Sequence, residues 1–141
     1  MGSLEPWVHD ALQQSRVARL ATVSADGSVG LVPICFVVVD GWVGSAVDHK
    51  PKRSDRLRRL TDIEAGGAAT LLVDNYEEDW SRLWWVRVHG RAVVHRESDD
   101  EARAVLEALR AKYVQYREHP PAGAVYRIAL DEVQSWRSTV Q

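Results

Sequence analysis

The sequence contains very little cysteine, methionine or phenylalanine, with one residue of each among 141. The single cysteine, Cys35, cannot form an internal disulfide, and we predict that it is a small buried hydrophobic residue. No apolar run approaches the roughly 20 residues of a membrane-spanning helix. No basic region followed by an apolar stretch opens the chain, so a signal peptide is not expected. These absences exclude an extracellular disulfide scaffold and predict a cytoplasmic protein without a membrane span.

The motifs of several common catalytic and cofactor sites are also missing. There is no Gly-x-Gly-x-x-Gly after a strand and no Gly-x4-Gly-Lys-Ser/Thr, which excludes the usual dinucleotide and nucleoside triphosphate loops. The five histidines stand singly, without the paired spacing of a zinc site. No serine has the surroundings of a nucleophile elbow. We therefore predict no metal site and no covalent hydrolytic catalysis.

The composition is that of an ordinary globular domain, with 45% hydrophobic and 27% charged residues. The length suits one folded unit with its own core, so we expect a single domain over residues 1–141, beginning with a helix. The 18 basic and 20 acidic residues leave a net charge of −2. A strongly basic segment in this chain is therefore a local feature.

Hydrophobic patterning in the first half of the chain predicts a helix and then three antiparallel strands, at residues 6–14, 16–23, 29–39 and 42–47. The dipeptides Asp26-Gly27 and Asp40-Gly41 are typical of tight hairpin turns. Residues 29–39 are nearly all apolar, which indicates a strand buried on both faces. Pro33 inside this strand marks an edge or a break, where free backbone groups could bind the polar edge of a planar ring. The alternative is an edge-strand proline without a ligand.

The second half predicts further elements: helices from residue 51 to about 63 and from a capping box at 98–101 to about 116, strands at 69–74, 83–95 and 124–130, and a short strand or tail through 136. The helix predicted from residue 51 to about 63 points Leu57, Leu60 and Ile63 inward and leaves Arg59 outside its apolar stripe. Gly90 indicates a break or bulge in the long strand. Hairpin connections and few helices favour a closed or split barrel of six or seven strands. A parallel α/β sheet would need a helix between nearly every pair of strands.

Residues 50–59 form a basic segment with six cationic side chains and one anionic side chain. Two of the three lysines in the chain, Lys50 and Lys52, flank Pro51 here. Compact ammonium groups followed by Arg56 suit a phosphate, and Pro51 suits the first turn of a helix whose free N–H groups could face an anion. The alternative is a solvated helix face. Nucleic acid is disfavoured, because the chain is net acidic and has no second basic region.

The pair Trp84-Trp85 lies in the predicted strand at residues 83–95. Adjacent strand residues point to opposite faces, so at most one of the two lies in the core. Large aromatic side chains on the outside of a barrel usually contact a partner chain or a stacking ligand. We expect a dimer interface ahead of direct ligand contact, and both can hold. Trp80, just upstream, would extend the same surface.

Several blocks together form the pattern of a known family: RLATVSADG at residues 19–27, LVPI at 31–34, SAVDHKPK at 45–52, RLRRL at 56–60, LLVD at 71–74 and DWSRLWWV at 79–86. With these blocks the chain resembles the pyridoxamine-5′-phosphate-oxidase-like split-barrel flavin and deazaflavin oxidoreductases, and within them the F420-dependent actinobacterial branch. The resemblance runs from about residue 16 to residue 136. Its Lys-Pro-Lys and Asp-Trp-x3-Trp-Trp blocks are specific, whereas the Leu-Ala-Thr and Asp-Gly blocks are common to the wider superfamily.

The resemblance implies a six-stranded antiparallel split β-barrel of the FMN-binding type, mainly β with flanking helices, that forms a homodimer with its cofactor sites at the subunit interface. The cofactor-binding residues that it implies are Gly30, Leu31, Val32, Pro33, Ile34, Ser45, Ala46, Lys50, Pro51, Lys52, Arg56, Trp84 and Trp85. The backbone of the second strand would bind the cofactor ring, and the cations would hold its phosphate. The tryptophans would come from the second subunit. The family implies no obligatory acid or base, so no catalytic residue is assigned.

The implied function is that of an F420-dependent oxidoreductase, which transfers a hydride from the reduced deazaflavin to a small conjugated organic substrate. An FMN-dependent oxidoreductase of the same fold is the alternative, because cations that hold a phosphate suit either cofactor. A non-catalytic flavin-binding or haem-binding split barrel is a third reading. A haem binder needs an axial ligand in the cleft. His49 is the candidate for this axial ligand in the sequence, but an exposed histidine in a loop is the better description of it.

Overall fold

The computed structural model describes residues 4–47 and 54–139, without the side chains of residues 54–57. Its helices are α1 (Pro6–Gln14), α2 (Ser54–Gly66), α3 (Asp100–Lys112) and α4 (Val114–Glu118), with a 3-10 turn at Trp80–Arg82. Its strands are β1 (Ala18–Val23), β2 (Val29–Ile34), β3 (Val37–Val39), β4 (Trp42–Ala46), β5 (Ala68–Asn75), β6 (Trp84–His95), β7 (Val125–Ala129) and β8 (Glu132–Arg137). The architecture is mainly β with flanking helices, as the sequence predicted.

Both predicted hairpins are present, and each turn uses the residues that its geometry demands. Asp40 and Gly41 have φ angles of 52° and 83°, the left-handed conformation that a two-residue turn requires at both central positions. This turn pairs β3 with β4. Gly27 also has a positive φ, in the turn that pairs β1 with β2.

The strands form a curled antiparallel sheet in the order β2-β1-β5-β6-β7-β4-β3, with β8 added on β6. The two strands at the ends of this order, β2 and β3, are consecutive in the chain and are joined by Cys35 and Phe36. The ends of the sheet are therefore connected by the chain itself, at a bend between two strands that pair with different neighbours. The result is a split barrel whose opening lies beside this bend.

Eight strands occur within the described residues, whereas the sequence predicted a barrel of six. The predicted strand at residues 29–39 is divided, because its first part pairs with β1 and its last part with β4. The second difference is β8, the segment predicted as a short strand or tail, which pairs with Trp84 to His89 of β6. Counting β2 and β3 as one bent strand and leaving β8 aside recovers the predicted six-membered wall.

The prediction that residues 29–39 are buried on both faces was wrong for β2. Val29 and Leu31 have 62% and 67% of their surface exposed. β2 pairs with β1 alone, at the end of the strand order, and no described element covers its outward side chains. Pro33 therefore lies on an edge strand, where a missing N–H does not interrupt the sheet. The sequence predicted that Pro33 marks an edge or a break, and the structure shows the edge.

The predicted interruption of the long strand at Gly90 is a change of partner. β6 pairs with β5 from Trp84 to Arg91 and with β7 from Ala92 to His95. A Cβ atom at Gly90 would lie 1.9 Å from the carbonyl oxygen of Ala129, so the backbone approach at the bend requires glycine. This change of partner allows one strand to belong to both halves of the barrel wall.

The helices close the barrel through their apolar faces. Leu60 and Ile63 of α2 are buried in the main core, as predicted. α3 is capped by Asp99, whose carboxylate accepts a hydrogen bond from the N–H of Ala102 at 2.8 Å, and not by Ser98 as the capping-box pattern indicated. The helix predicted from the capping box at residues 98–101 to about residue 116 is divided at Tyr113 into α3 and α4. In the described part of the chain, the helices lack the length and hydrophobicity needed to cross a membrane.

Candidate functional site

A cleft of about 220 Å³ opens at the split of the barrel. It is lined by Pro33, Ile34, Cys35, Ser45, Ala46, Val47, Arg59 and Tyr116. Four of these, Pro33, Ile34, Ser45 and Ala46, belong to the predicted cofactor-binding set. The structure thus brings the end of β2 and the end of β4 together, two segments that are about ten residues apart in the sequence and are not ladder partners.

The bend between β2 and β3 is held in place by a side chain of the cleft. The buried hydroxyl of Ser45 donates a hydrogen bond to the carbonyl oxygen of Cys35 at 2.6 Å. Behind the bend, the N–H of Phe36 donates to the Tyr113 hydroxyl at 3.1 Å. Backbone groups that a continuous strand would have paired are therefore bound by side chains, and the cleft has a fixed wall.

Cys35 lines the cleft and is partly exposed, so the prediction of a small buried hydrophobic residue was wrong. The bend turns residue 35 out of the sheet, and no ladder neighbour covers it. On the other side of the bend, the Nζ of Lys112 donates to the carbonyl oxygen of Phe36 at 2.9 Å. Burial of this half-buried ammonium, together with the nearby charge of Arg16, lowers the pKa of Lys112 to about 8.

Arg59 is the residue of the cleft that sequence reasoning missed. It was predicted outside the apolar stripe of α2, but it lines the cleft and its guanidinium lies 5.9 Å from the ring centroid of Tyr126. Its Nη1 donates to the Tyr126 hydroxyl at 3.3 Å. Arg59 precedes Ile63 by four residues, so one helical turn places both on the inward face. That spacing was the available signal, and the basic neighbours of Arg59 obscured it.

The Arg59 guanidinium keeps one buried donor without a partner. Its Nε is buried and has no hydrogen-bond acceptor within the described part of the chain. Burial raises the pKa of Tyr126, whose ring is fully enclosed, while the charge of Arg59 opposes that rise. The guanidinium of Arg59 therefore lines the cleft, and the Tyr126 phenol holds it from outside the lining. An unpaired buried N–H of a cation is costly.

α2 is fixed to the β1–β2 hairpin by a buried carboxylate. Asp62 accepts hydrogen bonds from the hydroxyls of Thr22 at 3.0 Å and Ser24 at 2.8 Å. The Nε of Arg58 lies 3.6 Å from the same carboxylate and donates to Ser24 at 2.9 Å. Because Arg58 and Asp62 flank Arg59 on the helix, these contacts set the position of Arg59 relative to the edge strand.

The other predicted residues of β2 lie along the edge strand, outside the lining of the cleft. Gly30 is opposite Thr22, and Leu31 is opposite Ala21 on the exposed face. Val32 is partly buried against the main core. Their backbone continues the edge that Pro33 and Ile34 present to the cleft.

The two tryptophans point to opposite faces, as predicted. Trp84 packs against the main core and meets Trp7 edge to face, with 6.5 Å between ring centroids. Trp85 is on the outer face, where the guanidinium of Arg87 lies 5.0 Å from its ring. Within one chain neither lines the cleft. Trp80 is exposed upstream of both.

The predicted phosphate-binding cations cannot be placed by the structure. Lys50, Pro51 and Lys52 lie outside the described residues. Arg56 lies in α2, but its side chain is not described. The described residues contain no cluster of three metal-ligating side chains. The phosphate site therefore stays a prediction, immediately before the helix that carries Arg59 into the cleft.

A family model for pyridoxamine 5′-phosphate oxidase matches residues 4–137, almost the whole chain. The chain belongs to the pyridoxamine 5′-phosphate oxidase family. The split barrel and the predicted family agree with this match. Among curated proteins, none matches the chain significantly.

Solved structures with the same fold include a heme storage protein, an FAD binding protein and a protein whose name states no cofactor. A conserved hypothetical protein of Mycobacterium tuberculosis is 18% identical with a TM-score of 0.75, covering 97% of this chain and 86% of its own. The heme storage protein HutZ of Vibrio cholerae is 14% identical with a TM-score of 0.71, covering 96% and 95%. An FAD binding protein of Mycobacterium smegmatis is 20% identical with a TM-score of 0.61, covering 96% and 98%. At these identities the similarity establishes the fold alone.

Proposed function

We propose that this member of the family is an F420-dependent oxidoreductase that reduces a small conjugated organic substrate and works as a homodimer. The observation that carries the proposal is the cleft at the split of the barrel, with its edge-strand backbone and the guanidinium of Arg59 in its lining. The F420 branch itself rests on the sequence blocks that resemble it, above all Lys-Pro-Lys and Asp-Trp-x3-Trp-Trp.

The residues of the cleft fit the ring of a flavin or deazaflavin. Such a ring has a polar pyrimidine edge with carbonyl oxygens and an apolar benzenoid edge. The guanidinium of Arg59, which lines the cleft, would donate to an oxygen of the polar edge, and a positive charge there stabilises negative charge on a reduced ring. The backbone from Gly30 to Ile34 would bind the same edge, and Ala46 and Ile34 would cover an apolar part. Lys50, Lys52 and Arg56 would hold the phosphate, with Pro51 starting the helix.

The size of the cleft supports the homodimer. About 220 Å³ is below the roughly 300–1,000 Å³ of cavities that enclose a cofactor or drug-sized ligand. The rest of the enclosure would come from a second copy. The β1–β2 hairpin has an exposed apolar patch for this contact, formed by the cross-strand pair Val23 and Val29 and by Leu31. Trp84 and Trp85 would then reach the cleft from the partner chain.

The chain's own residues would orient and polarise the bound cofactor ring, and none is assigned as an acid or a base. When bound in the cleft, reduced F420 would supply the hydride. The Ser45 hydroxyl donates its hydrogen bond to the Cys35 carbonyl oxygen and so fixes the wall of the cleft. Arg59 is fixed by Tyr126 and presents its charge to the cleft. Catalysis would then come from positioning and electrostatics.

The test is a parallel titration of the purified protein with F420, FMN and haem, followed by quenching of its tryptophan fluorescence. We expect tight binding of F420, weaker binding of FMN, and a loss of F420 affinity of at least about tenfold in Arg59→Gln. Arg110→Gln, an exposed arginine of α3, is the matched control. Preference for FMN would transfer the protein to the flavin branch. Binding of neither cofactor would refute the proposal.

The second candidate function is a non-catalytic haem-binding or flavin-binding protein. Cys35 and Tyr116 line the cleft, and both residue types serve as axial haem ligands. The candidate suggested by the sequence, His49, lies outside the described residues. A Soret band that appears on haem addition and shifts in Cys35→Ser would favour this function. The cytoplasmic location stays a prediction under both candidate functions.

A further inference from the structure

A second cavity, which we call the aromatic groove, lies between α1, the start of β6 and the end of β8. Its volume is about 500 Å³, and its lining includes Trp7, Asp10, Ala11, Trp84 and Arg137. The described residues that line it are all different from those of the cleft. The cofactor proposal above uses one residue of this groove, Trp84, and gives no role to Trp7, Asp10, Ala11 or Arg137.

The groove is built by elements that hold its walls in register. Trp84 and Arg137 are directly opposite each other on the paired strands β6 and β8, so their side chains leave the sheet on the same face. Trp7 from α1 meets Trp84 edge to face, and its indole N–H donates to Glu5 at 3.1 Å. Two partly buried indoles therefore form a rigid aromatic wall.

Arg137 provides the polar group of the groove. Its guanidinium lies 5.0 Å from the ring centroid of Trp7, and it forms no ion pair with any described carboxylate. Stacking on an indole fixes the plane of a guanidinium and leaves its in-plane N–H groups exposed. Those N–H groups have the spacing that binds a carboxylate with two parallel hydrogen bonds.

Asp10 narrows the class of ligand. Its carboxylate also lines the groove and is exposed, with the Nδ1 of His9 at 3.8 Å. A second negative charge on the ligand would be repelled there, whereas a ring N–H or O–H could donate to Asp10. The volume suits one or two fused rings.

We propose that the aromatic groove binds planar aromatic monocarboxylates, with the carboxylate on Arg137 and the ring against Trp84 and Ala11. The site uses one anchoring charge and two aromatic side chains, the pattern of small-molecule sites in which a few polar groups orient a mostly apolar ligand. Neither F420 nor a redox step is required, so the proposal stands or falls independently of the cofactor.

The probes are indole-3-carboxylate and its neutral isostere indole-3-carboxamide, titrated by isothermal calorimetry into the protein without added cofactor. We expect the carboxylate to bind about tenfold more tightly than the amide, because only the carboxylate forms a charge-assisted bidentate pair. Arg137→Gln should bring the two affinities to within about twofold, while Arg110→Gln should keep the full preference. Ala11→Phe, which fills the groove from the helix side, should remove binding of both probes.

Folding of each variant is checked by circular dichroism and thermal unfolding, so that a lost site is separated from a lost fold. The proposal is overturned if the unaltered protein binds neither probe below about 10 mM. Equal affinity for acid and amide, or a preference that survives in Arg137→Gln, would overturn it as well. Failure of F420 binding in the earlier titration would leave these outcomes unaffected.

Discussion

The carboxylate of Asp62 is buried beneath the β1–β2 hairpin and accepts a hydrogen bond from the hydroxyl of Thr22 at 3.0 Å. This contact joins the helix that carries Arg59 to the strand next to the edge of the cleft. It is a buried ionic group with its partners supplied by two hydroxyls and one guanidinium. A carboxylate of this kind contributes to position as well as to stability.

Replacing Asp62 should therefore lower the free energy of unfolding and also loosen the position of Arg59 in the cleft. Asp62→Ala leaves the hydroxyls of Thr22 and Ser24 without their acceptor, and we expect the free energy of unfolding to fall by about 1–3 kcal/mol. Urea unfolding measures this loss. The exposed Glu78→Gln is the control, with a change within about 0.5 kcal/mol. An unaltered unfolding midpoint in Asp62→Ala would contradict the role assigned to this carboxylate.

Gly90 should tolerate no side chain. In Gly90→Ala the new methyl group would lie 1.9 Å from the carbonyl oxygen of Ala129, the last residue of β7, so β6 must move away from the end of β7. We expect a loss of about 2–4 kcal/mol in the free energy of unfolding. Gly66→Ala is the matched control, because a Cβ there meets no atom within 4 Å. Its stability should stay the same or rise by up to about 1 kcal/mol. Similar melting temperatures for the two variants would argue against the close approach.

Lys112 should make stability rise with pH in the alkaline range. Burial lowers its pKa to about 8 in the folded state, against 10.5 as its ordinary value. Between these values the unfolded chain binds more protons than the folded chain, so raising the pH favours folding; below about pH 8 both states are protonated and the effect is constant. Urea midpoints at about pH 8 and about pH 9.5 measure the slope.

Lys112→Met should remove most of that slope. The comparison stops at about pH 9.5 because burial raises the pKa values of Tyr113 and Tyr126. Above about pH 10 their phenols lose protons in the unfolded chain first, which lowers stability and opposes the lysine effect. A slope that is equal in Lys112→Met and the unaltered protein would assign the pH dependence to other groups.

Lys52 should matter for cofactor binding and not for the fold. As the predicted phosphate ligand before α2, it would lose a charge-assisted hydrogen bond in Lys52→Ala, and we expect the affinity for F420 to fall at least about tenfold. Fluorescence titration gives the affinity, and thermal unfolding should show an unchanged midpoint. Arg110→Ala serves as the control for loss of a surface cation. A folded Lys52→Ala variant with full affinity would remove the phosphate site from the proposal.

The fold could be predicted largely from local signals. Turn dipeptides such as Asp40-Gly41 have a single dominant backbone solution, and alternating apolar residues mark the strands that form the wall. The burial of β2 could not be predicted, because an apolar strand is equally consistent with a covered centre and with an edge that awaits a partner. Only the strand order separates the two, and strand order depends on contacts distant in sequence.

The site was predicted in part, for a similar reason. Family blocks identified Pro33 and Ser45, which the barrel brings to one cleft. Arg59 was missed because a cationic side chain on a helix is usually solvated, and its inward direction depends on the space beneath Tyr126. Cys35 was missed because the bend that exposes it arises where β2 and β3 choose different partners. These are tertiary effects that residue type alone does not encode.

The pairing of β4 with β7 has a consequence for how the cleft is made. Ser45 is registered against Tyr126, so the strand that carries one wall of the cleft finds its neighbour about 80 residues later in the chain. Hairpins such as β1–β2 can form as soon as their residues have been synthesised, but this wall cannot form until Tyr126 has been added. During the synthesis of the roughly 80 residues between Ser45 and Tyr126, β4 has its hairpin neighbour β3 but lacks β7. A ligand of the cleft can therefore bind only after this late pairing.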